Sequence, residues 1–357
     1  MPFRSANDSR VHGCTTGRGR PRIVERAIFA AMANERLFDA FPPETWEQWE
    51  AVVRKELKDR EPSALDIALG SAVLKPYHID HGPVVGDQRR GSKRDGNKWR
   101  STIAVDASDP DANDLLLEGL MGGADGVRVS GDVGALPNVL KDVLLAGVDL
   151  QLTNGTPAAM RWLRKEAERQ GVRPNEVSIC FGLPHDQDAS DMKDVAAEFP
   201  SVRLFEVEGI PQGRVQLERL IAMGFPSGRA AGCIQFVVRL GDDLFVEAAR
   251  IRALREAWAL EVSGVTGQHG SFSCWIQAEV SYPSDTKAPY DNCIRATLQA
   301  ISAIIGGCDG LTIPAPTLPE GDILARRVVR NIHNLLRDES FLSRVADPIG
   351  GSYTVEQ

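Results

Sequence analysis

The chain has 357 residues, 43% of them apolar and 25% charged, with a formal net charge of −8. That length supports one large α/β domain with an appendage, or two domains, and the composition excludes a chain disordered throughout. The acidic balance opposes nucleic-acid binding by the molecule as a whole, and no apolar run of about 18 residues is present to span a membrane.

Residues 1–31 differ from everything that follows: they hold six arginines and no apolar stretch of signal-peptide type, so they read as a disordered basic leader. Within them Thr16-Gly17-Arg18-Gly19-Arg20-Pro21-Arg22 looks like an AT-hook, the sole support for an alternative reading as a DNA-associated protein. Met32 is an alternative start. Residues 32–70 read as an arm and a helix. Phe38, Phe41, Pro42 and Pro43 form an apolar extended stretch, and Thr45 caps a helix with Trp46, Trp49, Val53 and Leu57 on one face. Two tryptophans on so short a helix require burial against the main domain or a partner.

From Trp99 onward, short β-branched runs alternate with helical stretches, the pattern of repeated βα units around a parallel sheet. Seven strands are expected at 99–105, 126–129, 148–153, 177–181, 202–207, 272–280 and 309–313, with an eighth short or hidden near 222–232. Helices are expected at 158–170, 217–223, 242–262, 291–305 and 322–337. A doubly wound sheet and a closed barrel both fit, and the strand count favours the barrel. No dinucleotide fingerprint follows the first strands. Instead, Gly122-Gly123-Ala124-Asp125-Gly126 and Gly306-Gly307-Cys308-Asp309-Gly310 each precede a strand, so they read as equivalent αβ turns on the face opposite a barrel's active site. The six cysteines (Cys14, Cys180, Cys233, Cys274, Cys293, Cys308) are widely spaced, with no metal-site pattern, and read as reduced thiols of a cytoplasmic protein.

Four ordered segments carry a family resemblance. They are Phe245-Val246-Glu247-Ala248-Ala249-Arg250-Ile251-Arg252-Ala253-Leu254-Arg255 with Trp258, and Pro289-Tyr290-Asp291-Asn292 with Arg295. Ala325-Arg326-Arg327-Val328-Val329-Arg330-Asn331 and Asp347-Pro348-Ile349-Gly350-Gly351-Ser352-Tyr353-Thr354-Val355-Glu356 complete them. Together they resemble the methylmalonyl-CoA mutases, with Arg250 where that family usually has lysine. The N-terminal half is similar to the family's small, non-catalytic subunit: Leu37-Phe38-Asp39-Ala40-Phe41-Pro42-Pro43 leading to Trp49, then Leu74-Lys75-Pro76-Tyr77. The resemblance spans Met32 to Gln357. It implies an α/β fold, a (β/α)8 TIM barrel over residues 71–357 with an N-terminal extended arm and helix; no cobalamin-binding domain is expected in this sequence, a departure from typical small subunits.

The family's reaction is a radical 1,2-shift of a thioester using adenosylcobalamin, interconverting methylmalonyl-CoA and succinyl-CoA in propionate metabolism. In active subunits a Tyr-His pair near the fifth strand and an arginine before an Ala-His on the seventh hold the acyl group. Aligned by flanking residues, the pair falls on Val207 and Glu208, the arginine on Gln277 and the following histidine on Glu279. A carboxylate repels an acyl-CoA carboxylate, and glutamine lacks the charged guanidinium fork. The resemblance therefore implies a degenerate site. No catalytic, cofactor-binding or metal-ligating residue is assigned; Val207, Glu208, Gln277, Glu279 and Asn154, with Asp106 and Asp132, mark the barrel-mouth positions. Asp80-His81-Gly82 only superficially resembles the family's cobalt-ligand motif. The expected partner is a large catalytic subunit in a heterodimer that carries the adenosylcobalamin; no nucleic acid and no membrane are expected. The alternative is a catalytic barrel whose B12 domain is a separate chain, which requires a basic pocket and a restored donor pair. Arg252, Arg255, Arg326 and Arg330 read as scaffold or interface ion pairs.

Overall fold

A computed structural model describes residues 45–58, 60–69, 72–75, 96–270, 272–283 and 288–356. The basic leader, the arm residues Phe38, Phe41, Pro42 and Pro43, and Asp80-His81-Gly82 lie outside them. The chain divides into two units, Met1–Tyr77 and His78–Gln357.

In the first unit, the helix α1 (Trp46–Glu56) begins where the sequence places it. Thr45 accepts from the Gln48 backbone N–H while the Gln48 side chain takes the Thr45 N–H, a reciprocal cap. Trp46 and Trp49 stack, ring centroids 4.8 Å apart. An antiparallel hairpin follows, β1 (Ile67–Leu69) and β2 (Ala72–Leu74).

The second unit is a sheet in which every pairing is parallel. Its strands are β3 (Arg100–Asp106), β4 (Gly126–Ser130), β5 (Asp149–Leu152), β6 (Ser178–Cys180), β7 (Ser201–Arg203), β8 (Phe205–Val207), β9 (Ile234–Arg239), β10 (Trp275–Glu279) and β11 (Gly310–Thr312). β3 pairs with both β4 and β11, and the sheet runs from there to β7 on one side and β8 on the other. β7 and β8 are two halves of one strand broken only at Leu204, so the sheet closes into an eight-stranded barrel. The break is a bulge: Leu204 N–H and Phe205 N–H both reach the Cys233 carbonyl, at 2.7 and 3.2 Å. One extra residue shifts the side-chain alternation, so both Arg203 and Glu206 turn to the barrel axis.

Seven strands lie where the sequence places them, while the eighth does not. Residues 222–232 end the helix α6 (Ile210–Ala222) and form the short helix α7 (Ser227–Gly232). The missing strand is the next segment, Ile234-Gln235-Phe236-Val237-Val238-Arg239, buried except at its last residue. Its apolar run was the available signal, and the polar Gln235 obscured it.

Preceding these two are α2 (Ala112–Met121), α3 (Leu136–Val139), α4 (Pro157–Gln170) and α5 (Lys193–Glu198); following them are α8 (Leu244–Thr266), α9 (Asp291–Gly306), α10 (Asp322–Asn334) and α11 (Tyr353–Glu356). Their buried faces, such as Ile251, Trp258 and Val262 on α8 and Ala296, Ala300 and Ala303 on α9, pack on the outward residues of the strands. The two glycine-rich turns do equivalent work. Gly123 and Gly307, at φ 100° and 88°, end α2 and α9 in a conformation a side chain would strain. Asp125 then accepts the Ser101 N–H of β3, and Asp309 the Ile276 N–H of β10, tying each new strand to its predecessor.

Candidate functional site at the barrel axis and mouth

Strand alternation sends polar side chains into the barrel, where bulky branched residues ordinarily dominate. At one level Asp149 on β5 pairs with Arg203 on β7 and accepts from Ser178, while the Arg203 guanidinium lies 3.9 Å from the ring centre of Trp275. In the next level the Gln151 amide donates to Gln277 at 2.7 Å, and the Gln277 amide donates to Thr102 and Thr312. Gly310 makes room: a Cβ there would sit 2.0 Å from the Gln277 side-chain oxygen. In the third level Arg128 on β4 grips Glu206 through two parallel bonds of 2.8 and 2.9 Å and lies 3.5 Å from Glu279. Gln235 donates to Glu206 at 3.0 Å. The axis is thus a column of side chains bonded to one another.

Electrostatics match the geometry. Burial pushes the Glu206 carboxyl above the usual carboxylate range, with Arg128 pulling it back. Burial also opposes the charge on Arg128, but Glu206 and Glu279 outweigh it and keep the guanidinium protonated. Beside them, burial first and Glu206 second push the Cys180 thiol up to about 12, so it stays an inert thiol.

Above the column, at the carboxyl ends of the strands, lies a cavity of about 410 Å³ bounded by Asn154, His185, Val207, Glu208, Gln212 and Arg239. Of the positions singled out in the sequence, Asn154, Val207 and Glu208 meet at this cavity. Gln277 lies below it, fully buried in the column, and Glu279 faces Arg128. Glu208 is exposed and pairs with Arg239 at 2.7 Å. Asp106 and Asp132 stay out of the cavity and serve their own loops: Asp106 accepts from Ser108 N–H and Oγ–H, which lowers its pKa, and Asp132 accepts from Gly134 N–H.

Sequence reading missed Arg128, Gln151, Glu206 and Gln235, which hold most of the axial bonds. Polar residues at inward positions of otherwise apolar strands were the available signal, except at Glu206, whose inward turn depends on the bulge. The mouth does not fit metal-ligand duty: among the described residues no three His, Cys, Asp or Glu side chains gather to hold an ion, and the His185 Nε2 is engaged with the Glu206 carbonyl oxygen.

The arginines singled out in the sequence segments divide. Arg252 on α8 bridges Asp347 and Glu356, locking the C-terminal segment onto that helix. Arg255 donates to the Cys274 and Gly307 carbonyls and to Asp309. Arg330 meets Glu118 at 3.3 Å. These three are scaffold ion pairs, as expected. Arg326 is not: it has no ion pair among the described residues, and its buried Nε has no partner.

Comparison with known proteins shows what the chain is similar to. Residues 209–357 match the family described as methylmalonyl-CoA mutase. The chain is 28% identical over 89% of its length to the methylmalonyl-CoA mutase small subunit of Streptomyces virginiae, covering 61% of that protein. It is 24% identical over 91% of its length to the small subunit of Porphyromonas gingivalis, covering 62% of it. The chain therefore spans about three fifths of the length of these relatives. Among solved structures it is similar to dihydropteroate synthase of Burkholderia cenocepacia, with 14% identity, a TM-score of 0.39, and 68% and 93% of the two chains covered. By sequence, the chain is similar to the methylmalonyl-CoA mutases, and its likeness to their small subunits runs over most of its length.

Proposed function

We propose that this barrel is a non-catalytic partner subunit of a B12-dependent mutase that interconverts methylmalonyl-CoA and succinyl-CoA in propionate metabolism. The observation that carries this reading is the axial column. An acyl thioester needs a cation for its free carboxylate and a donor for its carbonyl, and the two arginines near the mouth are each matched to a carboxylate, Arg128 to Glu206 and Arg239 to Glu208. Gln277, where active subunits carry the arginine, is uncharged and fully buried, its amide committed to Thr102, Thr312 and Gln151. Releasing Arg128 for a substrate would leave Glu206 charged and buried, a cost of about 3–5 kcal/mol. Sequence similarity to small subunits supports a large catalytic subunit as the partner and the carrier of adenosylcobalamin. A cytoplasmic setting agrees with free cysteines at 180, 233, 274 and 293, and no described helix is long and apolar enough to cross a membrane.

The test is co-expression with a mutase large subunit. The chain should co-purify with it, and Glu208→Gln should leave the turnover of the complex unchanged. Alone, the chain should neither turn over methylmalonyl-CoA with added adenosylcobalamin nor bind it saturably. Turnover or saturable binding by the isolated chain, lost in Glu208→Gln, would establish the catalytic-barrel alternative instead.

A further inference from the structure

A second cavity, of about 370 Å³, lies on the outer side of the barrel wall, between β3 and the helices α2 and α10. Outward placement follows from alternation: Thr102 bonds Gln277 at the axis, while Ile103 faces α2, where a Cβ on Gly119 would meet its Cδ1 at 2.2 Å. The volume falls at the lower end of the roughly 300–1,000 Å³ of small-molecule sites. Ile103, Leu115, Ile313 and Val329 supply apolar walls.

The polar groups of the cleft are unevenly satisfied. Arg330 and Glu118 neutralise each other at 3.3 Å. Asp322 lies in the first turn of α10, where the positive helix end offsets its charge. Arg326, one turn further along, has no ion pair among the described residues, and its Nε is buried without a partner. His333 lies two turns beyond Arg326 on the same face and is 96% buried. Its Nδ1 accepts the Trp99 indole N–H at 3.2 Å, which puts the proton of the neutral ring on Nε2. No partner for that N–H occurs among the described residues. Burial, then Arg337, push the His333 pKa down to about 3, so the ring is neutral at pH 7. The buried groups left without partners are therefore donors, the exposed Asp322 carboxylate standing at the solvent side, and what completes the cleft brings acceptor oxygens on an apolar body.

We propose that this cleft binds a small monocarboxylic acid with a short unbranched apolar chain, the carboxylate taken by Arg326 and the chain by Ile103, Leu115, Ile313 and Val329. The site is separate from the barrel mouth and stands whether or not the mouth is catalytic.

Hexanoate and hexan-1-ol, titrated into the full-length chain and followed by saturation-transfer NMR and thermal shift, test it. Hexanoate should bind saturably and raise the melting temperature, and hexan-1-ol should bind at least about tenfold more weakly, because a charge-assisted pair is lost. Arg326→Gln gives up no ion pair and should fold normally, yet weaken hexanoate about tenfold or more, while Arg326→Lys should retain part of the affinity. Absence of saturable hexanoate binding would overturn the proposal. Equal affinity for the alcohol, or an Arg326→Gln variant that binds as tightly as the parent, would do the same.

Discussion

His333 carries one protonation state into the fold. Buried against Trp99 and facing the Arg337 charge, it titrates near 3 in the folded chain, against an unfolded value of about 6.5. A base with a depressed folded pKa contributes stability that is whole above the unfolded pKa and is lost as pH falls toward the folded one. Between pH 7 and pH 5 this histidine should cost the fold about 2 kcal/mol. His333→Gln keeps an acceptor for the indole and removes the titration. Urea unfolding of the parent and the variant at both pH values should therefore show a smaller acid loss in the variant, and equal losses would disprove the assignment. Gly310 poses a steric case. Its Cβ would fall 2.0 Å from the Gln277 oxygen, so Gly310→Ala should destabilise by roughly 1–3 kcal/mol through overpacking. Gln277→Ala removes the obstacle. The double variant should then cost clearly less than the sum of the two, and strict additivity would mean the glycine is needed for another reason.

At the scale of elements, the paired turns invite comparison because one motif occupies two environments. Asp309 is buried and holds Arg255 as well as the Ile276 N–H, whereas Asp125 is a third exposed and meets Arg100 at 3.3 Å. Asp309→Ala strands a largely buried guanidinium and should cost about 3–5 kcal/mol, while Asp125→Ala should cost about 1 kcal/mol. Denaturant midpoints would rank them, and a larger loss at Asp125 would contradict the shared-role reading. Both turns were legible in sequence because glycine at a helix end and aspartate before a strand are local chemistry. Seven strands and the Thr45 cap were legible for the same reason. The bulge at Leu204 was not. It is set by the Cys233 carbonyl, 29 residues away, and it turns Glu206 inward to Arg128. Motif alignment pointed to Val207 and Glu208, at the end of β8 and just past it, and to Gln277 and Glu279 on β10, but only cross-barrel distances reveal that Gln277 is a buttress of the axis and not a lining of the cavity.

On the scale of the whole molecule, the closed sheet makes the second unit self-sufficient. Every buried apolar residue of the hydrophobic core falls between Trp99 and Val355, and the axial column is completed by residues from Thr102 to Thr312. The helix α1 contributes no buried residue. A chain reduced to His78–Gln357 should therefore unfold in one cooperative step, with a melting temperature within about 4 °C of the full chain, the equivalent of roughly 1 kcal/mol for a domain of this size. Deleting only residues 1–31 should change it less still. The truncation also separates stability from assembly. If the arm and α1 serve the proposed partner, the truncated barrel keeps its circular dichroism and its melting transition while losing co-purification with a mutase large subunit. Trp46→Ala together with Trp49→Ala should reproduce part of that loss in the full chain, by roughly 2 kcal/mol or more, as expected when aromatic anchors are removed from an interface. A fall of ten degrees or more in the truncated barrel would instead assign the first 77 residues to the barrel's own stability.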